Sequence, residues 1–222
     1  MTFAKVLAVL AGSAAIAVVI AGSASAGTAC ADLGGTAGAD GFCEVHSATT
    51  TYELSFRFPT DYPDQSAVAD YLSQERKDFV DWVAAYPTSA PVRPFERDVI
   101  GEAYQSADTR SLVFTVGNDT GVHPVTTFKA FNYSLADRAP VTFETLFKPG
   151  SDPLAVLNPI VRQQVLARDP TASVDLTTAS YQQFAITEDA IIFFFNQDGL
   201  LPHEDGPLEV KVPRGTLASI LA

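Results

Sequence analysis

Residues 184–196 read Phe184-Ala185-Ile186-Thr187-Glu188-Asp189-Ala190-Ile191-Ile192-Phe193-Phe194-Phe195-Asn196. A polar Thr-Glu-Asp turn separates two apolar runs, so the segment predicts a β-hairpin. The run from Ile191 to Phe195 is too apolar for a strand with one open face and predicts a central strand. Downstream, residues 206–212 predict a last strand and 213–221 a short helix. Upstream, Asp152 followed by Pro153 is an N-cap and first-turn signal. The helix it opens, to about residue 168, buries Leu154, Leu157, Ile160, Val161 and Val165. Pro159 in its second turn requires a later start or a kink. Before it, 141–147 is a short apolar stretch.

Further toward the N-terminus, 109–133 predicts a second hairpin around Asn118-Asp119-Thr120-Gly121, and 95–107 the strand that precedes it. Residues 52–58 alternate, with Tyr52, Leu54, Phe56 and Phe58 on one side and Glu53, Ser55 and Arg57 on the other, as in a half-buried strand. From 66 to 85, Val68, Tyr71, Leu72, Phe79, Trp82 and Val83 recur at helical spacing, which predicts the longest amphipathic helix, with Trp82 as a core anchor. Strands and helices come in blocks, so the fold class is α+β: a largely antiparallel mixed sheet packed against one long and one or two shorter helices. Pro87, Pro91 and Pro94 mark the one plausible internal boundary. It separates an N-terminal subdomain, 27–94, from a C-terminal α+β domain, 95–222.

The chain has 222 residues, with Lys+Arg 14 against Asp+Glu 26 and a net charge of -12. That acidity argues against binding to nucleic acid or to anionic lipid surfaces. The hydrophobic fraction of 47% is ample for a packed core.

Residues 1–26 carry an address. Lys5 precedes an apolar run over 6–22, and Ala24-Ser25-Ala26 fits the pattern that signal peptidase reads. Cleavage after Ala26 is expected, rather than retention as an anchor or lipidation at Cys30; no other segment is apolar enough to span a bilayer. Cys30 and Cys43 are the only cysteines. In an oxidising compartment such a pair reads as a disulfide, worth about 3 kcal/mol on the chain-entropy account, rather than as a metal site with His46.

Signatures of chemistry are sparse. There is no G-x-S-x-G elbow in residues 27–222, and no H-E-x-x-H, P-loop or Rossmann glycine pattern. The carboxylate pairs Asp61/Asp64 and Glu204/Asp205 sit in turn-like sequence, where solvated acids are the default. Of the three histidines, His46 follows the disulfide loop and His203 lies in a polar turn. His123 sits in Gly121-Val122-His123-Pro124 at a hairpin tip, where it could activate Ser111, Ser134 or Ser180, or simply brace the turn. Lys129 stands in a strand with few charges. It is expected to face solvent or to pair with an acid.

Several strings resemble the MPT/MPB-type secreted immunogenic antigens of mycobacteria: Tyr62-Pro63-Asp64-Gln65, Thr127-Phe128-Lys129-Ala130-Phe131-Asn132-Tyr133 and Pro140-Val141-Thr142-Phe143-Glu144-Thr145-Leu146-Phe147. So do Tyr181-Gln182-Gln183-Phe184-Ala185-Ile186-Thr187, Ile192-Phe193-Phe194-Phe195-Asn196, Val212-Pro213-Arg214 and the cysteine pair. The resemblance spans nearly all of residues 27–222 in order, and Arg-over-Lys usage in an Ala-rich chain suits an actinobacterial origin. It implies an exported protein of culture fluid or cell envelope with a mixed α/β fold. The C-terminal half is similar to the extracellular domain of lysozyme-sensing anti-sigma factors and of some peptidoglycan deacetylases. The family's Gly-x-His-Pro pattern falls on 121–124. Where anti-sigma relatives often carry Pro-Tyr-Glu, Gln197-Asp198-Gly199 stands here. A relative in the antigen family is described as a cell-wall esterase.

These readings lead to two functional expectations. The first is a non-enzymatic, monomeric, secreted or wall-associated protein that binds a protein or cell-envelope partner, with no cofactor, no metal and no stable membrane insertion. Its contact surface would comprise His123, Gln197, Asp198, Leu200, Leu201 and Pro202, with the leucines exposed. The alternative is a serine-type carboxylesterase on short-chain esters with His123 as base.

Overall fold

The computed structural model describes residues 25–86, 93–121 and 123–222. In chain order the first half forms α1 (Ser25–Asp32), β1 (Thr36–Ala37), β2 (Phe42–Ala48), β3 (Tyr52–Pro59), α2 (Gln65–Ala85) and β4 (Phe95–Gln105). Then come β5 (Thr109–Asp119), β6 (Val125–Ser134), β7 (Ala139–Pro140), α3 (Phe143–Leu146) and α4 (Pro153–Arg168). The chain closes with β8 (Phe184–Ile186), β9 (Ala190–Phe195), β10 (Leu208–Pro213) and α5 (Arg214–Leu217). The expected export segment lies outside the described residues except for Ser25 and Ala26, which open α1. No helix among the described residues is long and apolar enough to cross a membrane.

Strands β1 to β7 follow one another across a seven-stranded sheet, and β10-β9-β8 form a separate three-stranded sheet. Every pairing is antiparallel except β3 with β4, which α2 joins as a parallel crossover. The α+β, largely antiparallel class is therefore what the chain adopts. The strands on the two sides of the 94/95 boundary share one sheet, with Tyr52 opposite Phe95. The hydrophobic cores divide the chain further along, one drawing on residues up to Tyr133 and another on residues from Val141 onward.

Alternation builds the first core. Leu54, Phe56 and Phe58 of β3 point to the same face as Val99, Leu112, Phe114 and Val116, and Val68, Leu72 and Phe79 of α2 cover them. Asp64 caps α2, its Oδ1 accepting from Ala67 N at 3.1 Å. Cys30 and Cys43 are bonded, tying α1 to β2. Gly35 lies so close to them that a Cβ there would be 2.6 Å from Cys43 Sγ, so no larger residue fits. Trp82 departs from expectation: it is 38% exposed, because the last turn of α2 leaves it at the rim against Tyr86 and Phe95.

The second core packs Leu157, Val161 and Val165 of α4 against Phe193 and Phe195 of β9 and Val210 and Val212 of β10. Pro159 is accommodated inside α4. The other face of β9 is buried too: Phe194 joins Val113, Phe128 and Ala185 where the small sheet lies on β5 and β6. β9 is thus central in its sheet and covered on both sides, as its composition required. The expected terminal helix shortens to the single turn of α5.

Amide side chains seal this junction. Backbone N–H groups of Thr126, Phe128 and Ala130 point to the edge of β6 away from β5. They donate to Gln197 Oε1 at 2.8 Å, Asn196 Oδ1 at 2.8 Å and Gln183 Oε1 at 2.7 Å. Three side chains thereby stand in for a missing strand, protecting an edge that would otherwise be open to pairing. Below them, buried Asn132 Nδ2 donates to Phe184 O, and Ser111 Oγ accepts from Ile186 N.

Candidate functional site

The loop after β9 folds back on itself before it reaches β10. Gln197 N donates to Thr126 O at 3.0 Å, and Gln197 Nε2 donates to His203 O at 2.9 Å, so both ends of this side chain serve the fold. Asp198 takes a left-handed backbone, φ 62°. Gly199 follows at a turn so tight that a Cβ would meet Asn196 O at 2.8 Å. Leu201 is buried and Leu200 half-buried against the second core. The expected exposed leucine contact is therefore absent: the loop uses its apolar residues to anchor itself, leaving Pro202 exposed.

What the loop presents is polar. His203 Nδ1 lies 3.0 Å from Asp198 Oδ2. The ring of His123, exposed at the hairpin tip, stands edge-on to His203 with centroids 5.4 Å apart. A carboxylate bound to Nδ1 favours the tautomer that leaves Nε2 free to accept. The hairpin base is braced by Asp119, whose carboxyl is held below its usual range by Arg93 at 2.6 Å and by the Gly121 N–H.

None of the expected serines meets these imidazoles. Ser111 is buried and donates to Asn132 Oδ1 at 2.5 Å. Ser134 binds Asp137, and Ser180 Oγ accepts from Thr177 N. Among the described residues no serine hydroxyl is hydrogen-bonded to a histidine. The esterase arrangement with His123 as base and one of these three as nucleophile is not assembled.

Two other places carry chemistry. Lys129 lies on the face of β6 that bears Phe131, half-buried in a cleft of about 350 Å³ with Tyr62, Asp64, Tyr133 and Gln182. No carboxylate is within ion-pair distance among the described residues, and its Nζ sits 5.2 Å from the Phe131 ring. The expectation of a solvent-facing or ion-paired lysine is corrected, because strand parity turns it toward Phe114. Burial raises the Tyr62 hydroxyl well above the usual tyrosine range, aided by Asp64 and Tyr133.

The second place is the outer face of β2, β3 and the first half of β4, away from Tyr104, where β4 meets the small sheet. Its register aligns His46 with Ser55 and Ser55 with Asp98. Ser55 Oγ donates to Asp98 Oδ1. His46 Nε2 lies 3.9 Å from Glu53 Oε1. A shallow hollow of about 330 Å³ covers these residues together with Glu44, Arg57 and Ile100. Nothing local in the sequence separates these side chains from an ordinary solvated strand face.

Comparison with known proteins places this architecture. A family profile described as "Protein of unknown function (DUF3298)" matches residues 144–215. The chain is 42% identical over 215 residues to a Mycobacterium tuberculosis protein named esterase Rv3036c, covering 91% of this chain and 93% of that one. It is 36% identical over 207 residues to immunogenic protein MPB64 of Mycobacterium bovis, covering 88% and 89%. Immunogenic protein MPT64 of Mycobacterium tuberculosis matches at the same identity and coverage. Among solved structures, a DUF3298 family protein from Pseudomonas aeruginosa superposes with TM-score 0.60 at 11% identity, covering 81% of this chain and 93% of the other. One from Bacteroides fragilis gives 0.56 at 14%, covering 82% and 92%. At those identities the two structures speak for the shared fold alone.

Proposed function

This chain belongs to the family of the mycobacterial immunogenic proteins MPT64 and MPB64 and of esterase Rv3036c, and we propose that it is an exported protein that hydrolyses short-chain esters. The observation that carries this reading is the 42% identity to a protein named esterase across 91% of the chain. Export rests on the Ala24-Ser25-Ala26 pattern and on the Cys30–Cys43 bond, which suits an oxidising compartment. Purified protein is expected to release 4-nitrophenol from 4-nitrophenyl butyrate at a rate abolished by heat denaturation. A rate equal to buffer would remove the reading. Protein recovered from culture fluid is expected to begin at Gly27.

A second reading is favoured by the Asp198–His203–His123 group, which presents two imidazoles and a carboxylate at one edge with no serine hydroxyl hydrogen-bonded to them among the described residues. Here the loop and hairpin tip capture a cell-envelope or protein partner without chemistry. Binding of the purified protein to envelope fractions is expected to drop at least tenfold in Asp198→Arg. Unchanged binding sinks this alternative.

A further inference from the structure

We infer that Ser55 is the nucleophile of the proposed hydrolysis and His46 its base, on the open face of β2, β3 and β4; the inference rests on the ester-hydrolase reading and names its residues. The argument begins with register. In the β2–β3 hairpin, Thr49 N donates to Tyr52 O at 2.8 Å and Thr60 N to Gly41 O at 2.9 Å. Both are therefore hydrogen-bonded pairs, and such pairs alternate along an antiparallel ladder with pairs that exchange no backbone bond. Counting from either end makes His46 and Ser55 a pair of the second kind, where Cα atoms approach to about 4.5 Å and the side chains are nearest. Both project from the solvent face, since Val45 and Phe56 beside them are buried.

His46 is the one histidine of the chain that lies in a strand. Glu53, next to Ser55 on the same face of β3, stands 3.9 Å from His46 Nε2. Acid, imidazole and hydroxyl thus follow one another over two strands. On the other side, Ser55 Oγ donates a hydrogen bond to Asp98 of β4, which holds the hydroxyl in a defined direction at rest. Glu53 and Asp98 are positioning residues, one for the ring and one for the hydroxyl. Ile100, 52% exposed, is an apolar surface beside the serine for a short acyl chain. The guanidinium of Arg57, held 3.7 Å from the Phe42 ring centroid and 3.0 Å from Asp40, lines the same hollow as Ser55 and supplies a cation for an oxyanion formed there.

The chemistry balances as acyl transfer to water. Ser55 Oγ attacks the ester carbonyl carbon while its proton passes to His46. The bond to the alcohol oxygen then breaks, and His46 returns the proton to that oxygen, leaving an acyl ester on Ser55. Water attacks the acyl carbon with His46 again taking the proton, and the carboxylic acid leaves as Ser55 regains its hydrogen. The hollow is shallow, so it provides for a short acyl group and little beyond.

A fluorophosphonate probe with mass-spectrometric mapping tests the assignment on the purified protein. Ser55 is expected to carry the label. Ser55→Ala is expected to lose it, with kcat on 4-nitrophenyl butyrate reduced at least 100-fold and the thermal midpoint unchanged, since the side chain supports no core. His46→Gln is expected to cut kcat more than tenfold at similar KM and to flatten the decline of rate at acid pH, a readout that a merely structural role would not move. Full turnover in Ser55→Ala, or a label on another serine, overturns this site while ester hydrolysis stands. An unmodified protein that neither labels nor hydrolyses overturns both.

Discussion

β3 and β9 are strands of similar length and opposite circumstance. β3 buries Leu54, Phe56 and Phe58 under α2 and turns Glu53, Ser55 and Arg57 to water. β9 has Phe193 and Phe195 in one core and Phe194 in another, with no charged residue along its length. Burial on both sides leaves no room for unpaired polar groups. The chemistry available to this chain consequently lies on strands covered once and on loops, while the twice-covered strand holds the layers together. The junction between the regions is itself unusual, since amide side chains rather than a strand pair close the edge of β6.

The comparison breaks most severely at Phe193. It is fully buried, and Phe193→Ala is expected to cost about 3–5 kcal/mol. Trp82, the only tryptophan, reports on α2 in the other region. If the layers form one cooperative unit, urea transitions followed by Trp82 fluorescence and by far-ultraviolet dichroism will coincide and shift together in this variant. Separate transitions would show that the regions unfold independently.

A smaller effect is expected at the junction. Gln183→Ala removes the acceptor of Ala130 N–H and should cost about 1–3 kcal/mol, visible as a lower urea midpoint at constant slope. A neutral result would mean that water replaces the amide.

The smallest effect is electrostatic. Glu209 of β10 has its carboxyl raised above the usual value of 4.5, by burial first and then by Glu102 of β4. A carboxyl raised in the folded state binds its proton more tightly there than in the unfolded chain. Its favourable contribution is complete below the unfolded value and disappears as pH climbs through the folded one. Glu209→Gln is therefore expected to unfold at a slightly higher temperature than the parent at pH 7, the gap closing below about pH 4. An equal gap at both pH values would place its origin elsewhere.

Much of the first region was legible because its signals are local. The alternation over 52–58 and the spacing of α2 each depend on neighbours in the chain, as does the Asp152 cap of α4 in the second region. Trp82 misled because helical spacing marks the buried stripe but not where the covering sheet ends. Leu200 and Leu201 misled in the other direction, as a polar loop can still anchor itself by two apolar side chains. The contact of His123 with His203 had no sequence signal, since each lies in its own turn and only the packing of the small sheet brings them together.

Alternation, helical spacing, capping residues and the apolar run at Ile191 to Phe195 determined by themselves most of the elements from β3 onward, the α+β class and the central place of β9, while β2 escaped them. They could do so because backbone geometry imposes its period on adjacent residues. Only the tertiary structure decided that Gln183, Asn196 and Gln197 cap the edge of β6 and that Lys129 faces a cleft. It alone set His46, Ser55 and Asp98 abreast on an open face. Those outcomes depend on strand register and on which face a second layer covers, and both are set by contacts between residues far apart in the chain.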